Sequence, residues 1–231
     1  MKTFALSVLA CQLLASSAFA TSTTCPTGPL SLYLVSGFSC TTNALTFGQW
    51  SYSSSGSGLG SAVPAGSVIV TPILDPNNEG FQFQAGWSVS NVSNPTVQST
   101  EDSLVSFTAG GSGILDLELF FNGAVTGTGQ SSVTENFCLN HALVGCPAGS
   151  AGQIKVTNPP PGFNDHIFFA PAQSVSVSKD ILVSTGAGTG TATISQVIND
   201  FSSPEPLPLV LLGSGLLILV LMSKRVKNIG Y

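Results

Sequence analysis

The chain has 231 residues, of which 43% are hydrophobic and only 7% charged, with a formal net charge of −5. Between residues 21 and 203, ten acidic side chains stand against two basic ones, Lys155 and Lys179, a net charge of −8. Binding to phosphate backbones needs clustered Lys and Arg, so this balance argues against a nucleic-acid partner and leaves solubility to Ser, Thr, Asn, Gln and Gly.

Residues 1–20 read as a secretory signal. Lys2 supplies the positive start, the stretch from Phe4 to Ala15 is mainly apolar, and Ala18-Phe19-Ala20 is a small-x-small pattern that sets cleavage between Ala20 and Thr21. A lipobox-like Val8-Leu9-Ala10-Cys11 competes with it, but leaves too short an apolar stretch. Cleavage after Ala20 removes Cys11 and leaves Cys25, Cys40, Cys138 and Cys146, an even number in an exported chain, which is the pattern of disulfides. Of the three connectivities possible for four cysteines, Cys25–Cys40 and Cys138–Cys146 are favoured, since each pair is close in the chain and separated by turn-forming residues. A zinc site is the competing reading; it calls for a Cys-x-x-Cys pair or a Cys/His cluster, and here His141 alone lies within the second pair.

The body, residues 21–201, carries the period of two that marks strands. Phe81-Gln-Phe-Gln-Ala-Gly-Trp-Ser-Val-Ser90 alternates apolar or small with polar, and Ile114-Leu-Asp-Leu-Glu-Leu-Phe-Phe121 sets Leu115, Leu117, Leu119 and Phe121 against Asp116 and Glu118. Further strands are expected at 45–52, 67–74, 103–108, 125–137, 153–157, 166–169, 174–184 and 191–201, many bounded by Gly, Pro or Asn. The run SSSGSGLGS at 53–61 reads as a flexible loop and NPPPG at 158–162 as a stiff one. Many short strands without helical periodicity predict an all-β domain, a single antiparallel β-sandwich of jelly-roll-like type, with two sheets packed face to face.

A linker at 202–206 follows, then an apolar segment at 207–223 and a basic tail at 224–231. As a helix the apolar run from Leu207 to Met222 reaches about 24 Å, close to the roughly 30 Å of a bilayer's hydrocarbon layer. Lys224, Arg225 and Lys227 follow it directly, and the positive-inside rule keeps them cytoplasmic with the body outside. Pro204-Glu205-Pro206, an apolar helix containing Gly213-Ser214-Gly215 and a terminal basic cluster together resemble the PEP-CTERM protein-sorting signal, here with KRVK and NIGY in place of a run of arginines. That resemblance implies an exported bacterial protein handled by signal peptidase and then by an exosortase, which cleaves near Pro-Glu-Pro. The expected itinerary is an inner-membrane anchored precursor, then the cell surface or release. It further implies a role at the surface or in an extracellular polysaccharide matrix and does not itself imply an enzymatic activity; no catalytic activity is expected of the body. The two prolines hold the junction extended, outside any helix or ladder, where a protease reaches it easily.

Within the body no catalytic motif stands out. A hydrolase needs a nucleophile, a base and an orienting group or paired carboxylates; the two histidines are His141 and His166, and no G-x-S-x-G elbow is present. Asp165-His166 is the one adjacent acid–imidazole pair, but neighbours on a strand point to opposite faces. Asp75, Asn77 and Glu79 offer oxygen ligands for calcium, although Asp-Pro and Asn-Asn before Gly80 are turn residues in any case, and the turn is preferred. The glycines at 186, 188 and 190 lack the Lys and helix of a phosphate loop. Trp50 and Tyr52 share a face and are the candidate glycan contacts, whereas Trp87 shares the face of Phe81 and Phe83 and is assigned to the core. No cofactor is called for. A carbohydrate-binding module is thus the alternative to a structural surface protein, and a secreted hydrolase comes third.

Overall fold

The computed structural model of the protein describes residues 23–160 and 162–203. The signal segment with Ala20 and Thr21, the motif Pro204, Glu205 and Pro206, the apolar segment and the basic residues Lys224, Arg225 and Lys227 lie outside the described residues. Among the described residues no helix is long and apolar enough to cross a membrane.

Among the described residues eleven strands follow one another: β1 (Thr23–Thr24), β2 (Gly28–Pro29), β3 (Ser39–Thr41), β4 (Thr46–Ser57), β5 (Ile69–Asp75), β6 (Asn78–Ser90), β7 (Thr100–Gly127), β8 (Gln130–Leu139), β9 (Ala151–Asn158), β10 (Asn164–Ser184) and β11 (Gly190–Phe201). All join one curled sheet, antiparallel except where β1 runs parallel to β3. The sheet doubles over because β7 and β10 bend midway. The first half of β7 pairs with β4 as far as Gly110, and its second half pairs with β11 from Glu118 onward. β10 follows β7 through the bend, with register shifts between Phe168 and Ser174. One layer is therefore β1-β3-β4-β7-β10-β8-β9 and the other β2-β5-β6-β11-β7-β10, each using a different half of the two long strands. Glycine makes the bend possible. A Cβ on Gly111 would sit 2.4 Å from Leu45 Cδ2, and Gly113 has φ 88°, which L side chains rarely adopt.

Aromatic rings fill the space between the layers. Phe47 of β4 meets Phe81 of β6 at 4.6 Å, and Phe107 of β7 lies 6.3 Å from both Phe83 of β6 and Phe201 of β11. Trp87 is fully buried, its Nε1 donating to Ser103 Oγ at 3.1 Å. The inward face also carries Glu135, Lys179 and Asn199, polar side chains with no exposure at all. Two disulfides close the periphery. Cys25–Cys40 ties the segment after β1 to β3, and Cys138–Cys146 closes the loop after β8. Such bonds form in an oxidising compartment and point to an exported protein.

Several elements differ from the expectation. The segments expected at 103–108 and 114–121 are parts of one strand, as are those at 166–169 and 174–184, because each long strand serves both layers. The segment 125–137 is instead split by a turn at Thr128-Gly129. The serine-rich run at 53–61 is not wholly a loop: β4 continues to Ser57 in register with Leu104 to Thr100, and Ser54 Oγ donates to Val63 O at 2.7 Å. Serines satisfy a ladder as well as any residue once a partner strand is there, and no propensity signal reveals that partner.

Truncating the central ring tests this packing. Phe107→Ala is expected to cost about 3–5 kcal/mol in urea unfolding. Phe168→Ala, at a ring 73% exposed on the outer face, is expected to change stability by less than about 0.5 kcal/mol. Similar losses in the two variants would contradict the assignment of core and surface.

Candidate functional site

The residues singled out in the sequence do not gather at one place. Trp50 and Tyr52 share a face, but that face turns inward. A bulge at Gln49, with φ 57° and a register shift between Gly48 and Ser51, reverses the alternation begun at Phe47. Trp50 packs against Tyr33 at 4.7 Å and stacks on Phe107 at 4.6 Å, with its Nε1 buried and unpaired. Tyr52 donates its hydroxyl to Val63 O at 2.6 Å. Trp50 borders a hollow of about 470 Å³ beside residues 34–39, but both side chains pack against the core, so the two do not form an exposed platform for a sugar.

The possible calcium ligands are likewise employed elsewhere. Asp75 Oδ1 accepts from Asn77 N at 3.0 Å, the turn expected of Asp-Pro-Asn-Asn. Glu79 is 1% exposed and faces the turn before β4, where its carboxylate accepts from Thr42 Oγ1 and from the backbone N–H groups of Asn43, Ala44 and Leu45 at 2.8–3.2 Å. It thus satisfies a row of otherwise orphaned donors. Among the described residues no group of three or more His, Cys, Asp or Glu side chains is arranged to hold a metal ion.

What the fold assembles instead is a polar patch on the outer face of β7, β10 and β11. Asp200 and Glu118 are direct cross-strand partners, and His166 pairs with Glu118 from the other side. His166 Nε2 lies 3.1 Å from Asp116 Oδ2, so the imidazole finds its carboxylate across the ladder and not in its neighbour Asp165. Asp165 accepts from the Lys155 backbone N–H at 2.8 Å. Burial first, then the charges of Glu118 and Asp116, push the Asp200 carboxyl up to about 7, with His166 opposing. Beside them the ring of Phe168 stands free at 73% exposure, its centroid 4.1 Å from that of His166. On the outer face of the other layer Asp102 and Asp180 line a hollow of about 370 Å³ together with Ser53, Ser54, Ser55 and Leu104. Burial and the neighbouring Asp102 raise the Asp180 carboxyl to about 6.

Sequence reasoning missed the most unusual group, the buried Lys179, Glu135 and Asn199. The signal was present. Lys179 lies between Val177 and Ile181, Glu135 between Val133 and Phe137, and Asn199 between Val197 and Phe201, each at an inward position of an apolar alternation.

No protein-family model matches the sequence, and no curated protein is similar to it. Among solved structures, the chain is similar to TmCBM61 in complex with β-1,4-galactotriose, with 12% identity and TM-score 0.33 over 65% of this chain and 87% of that one. It is also similar to the enzymatically active domain of tailspike protein 4 of bacteriophage CBA120, with 15% identity and TM-score 0.29 over 65% of this chain and 19% of that one. TmCBM27, a mannan-recognising carbohydrate-binding module, gives 10% identity and TM-score 0.24 over 70% of this chain and 100% of that one. At these scores the likenesses carry no functional argument.

The raised carboxyls set the direction of pH dependence. A carboxyl near 3.9 in the unfolded chain and about 7 in the fold holds its proton more tightly when folded. Its contribution is complete below about pH 4 and is lost as the pH rises towards 7. Asp180 acts in the same direction. The urea midpoint is therefore expected to be lower at pH 8 than at pH 5, and Asp200→Asn should narrow the difference by stabilising the protein at pH 8. A midpoint that rises between pH 5 and pH 8, with no effect of Asp200→Asn, would contradict it.

Proposed function

We propose that this is an exported cell-surface or extracellular-matrix protein whose C-terminal tail is a PEP-CTERM sorting signal, with the β body as the delivered cargo. The observation that carries the reading is where the body ends. β11 lies between β6 and β7, Phe201 is fully buried, and Ser202 N donates to Asp116 Oδ1 at 2.7 Å. The last strand thus ends before Pro204-Glu205-Pro206, so that a cut there leaves every strand of the described body intact. Both disulfides support folding outside the cytoplasm.

A second reading, contact with polysaccharide, is favoured by one specific feature, the free ring of Phe168 beside His166 and the carboxylates of the outer patch. An apolar ring flanked by hydrogen-bonding groups is suited to stack on a sugar while its neighbours hold the hydroxyls. It replaces Trp50 and Tyr52 as the place to look. Phe168→Ala is then expected to weaken binding to extracted matrix polysaccharide roughly tenfold, read as a Kd by titration. Equal binding by both forms would remove this patch from consideration. Hydrolysis of the polysaccharide, abolished in Asp200→Asn, would turn both readings into an enzyme.

The sorting reading is tested by the mass of the mature protein from cells with and without the exosortase. The expected result is a C-terminus at or near residues 204–206 when the enzyme is present and an intact tail when it is absent. An intact tail in both strains would leave a plain membrane anchor.

A further inference from the structure

The buried polar group between the layers has the composition of a reaction site. Lys179 and Glu135 are direct cross-strand partners on β10 and β8, with Lys179 Nζ donating to Glu135 Oε1 at 3.2 Å and neither side chain exposed. Asn199, on the inward face of β11 in the opposite layer, brings its carboxamide beside the Glu135 carboxyl. Its Nδ2 donates to Glu118 O at 3.1 Å, while Asn199 Oδ1 and Glu135 Oε2 are both buried without a hydrogen-bond partner. Phe107 lies under the amine, 4.4 Å from Nζ to the ring centroid, and Phe83 is 5.8 Å away. A half-satisfied ion pair in such a setting is costly, and orphaned polar atoms in a native core call for a reason.

We infer that Lys179 and Asn199 are the two halves of an intramolecular amide bond that joins the layers, with Glu135 as the proton carrier. The amine of Lys179, having passed its ammonium proton to Glu135, attacks Cγ of Asn199. The Nζ–Cγ bond forms, the Cγ–Nδ2 bond breaks, and one proton moves from Nζ by way of Glu135 to the leaving nitrogen. Ammonia departs. The amine and the carboxamide are consumed, one secondary amide and one ammonia are produced, and neither oxidant nor cofactor is needed.

The surroundings favour each step. Burial lowers the Lys179 ammonium to about 8 against the opposing pull of Glu135, so a free amine is accessible near neutral pH. Burial also raises the Glu135 carboxyl, against the opposing effects of Lys179 and Asn199, so that it readily takes a proton. In a medium without water the neutral amine and acid are cheaper than the ion pair. Two layers packed face to face give the reactants the proximity of a single molecule, and the apolar walls keep water from competing for the carboxamide. The product removes the buried charge and spans β10 and β11, the last strand before the tail, from one layer to the other.

Trypsin reads the outcome directly, because between residues 21 and 203 it can cut only after Lys155 and Lys179. The protein purified after expression of the full chain is reduced, denatured, digested and mapped by mass spectrometry. With the bond in place, cleavage after Lys179 is lost, and the peptide starting at Val156 extends past Asn199 and is lighter by about 17 Da than its sequence. Fragmentation places the link between the two residues. Cleavage after Lys179 at full mass overturns the proposal. So does a loss of ammonia with Lys179 still cleavable, as a succinimide at Asn122-Gly123 would give. Glu135→Gln, checked for native circular dichroism, should restore both full mass and cleavage; a linked Glu135→Gln protein would remove Glu135 from the reaction. If that variant does not fold, the unsubstituted protein's peptide map still decides whether the bond exists.

Discussion

Because β7 and β10 each run through both layers, neither layer can close without the other. The constraint is set at two places, the glycine-rich bend after Gly110 in β7 and the register shifts between Phe168 and Ser174 in β10. Once the two strands turn together, their first and second halves face each other across the core, and Phe107 comes to lie opposite Phe83 and Phe201. Most stabilising contacts then join residues far apart in sequence, so the body should form as one cooperative unit. The disulfides act at its margins, on the segment after β1 and on the loop after β8, and leave the centre to aromatic packing.

That geometry explains where polar chemistry accumulates. On the outside, strands of Ser, Thr and Asp lie side by side, and burial together with a neighbouring carboxylate raises the proton affinity of Asp200, beside Glu118, and of Asp180, near Asp102. On the inside, Lys179, Glu135 and Asn199 occupy positions that alternation reserves for apolar residues. The last strand thus ends in the middle of a layer, at Phe201, beside both the buried group and the outer patch containing Asp116 and His166. A tail that anchors or delivers the protein would pull on one of its most deeply paired strands.

Much of the fold was legible where one face is buried. The alternation from Phe81 to Val89 gave β6 and placed Trp87 inside, and the cysteine spacing gave both disulfide pairs. The continuity of β7 and β10 was not legible, because Gly110, Gly111 and Gly113 look like a strand boundary unless the partner that bends with them is known. The bulge at Gln49 was equally hidden: one inserted residue turned Trp50 and Tyr52 from the outer face to the inner one. The outer patch could not be read either, since His166, Asp116 and Asp200 come from three strands whose order the sequence does not state. The itinerary expected from the two chain ends concerns segments that lie outside the described residues.

The central claim is that the last strand belongs to the same cooperative unit as the bent strands. Amide hydrogen exchange tests it most directly. Residues 197–201 are predicted to exchange as slowly as residues 103–108 of β7 and 175–183 of β10, all through a common global opening. Fast, independent exchange of residues 197–201 while β7 and β10 stay protected would contradict the account.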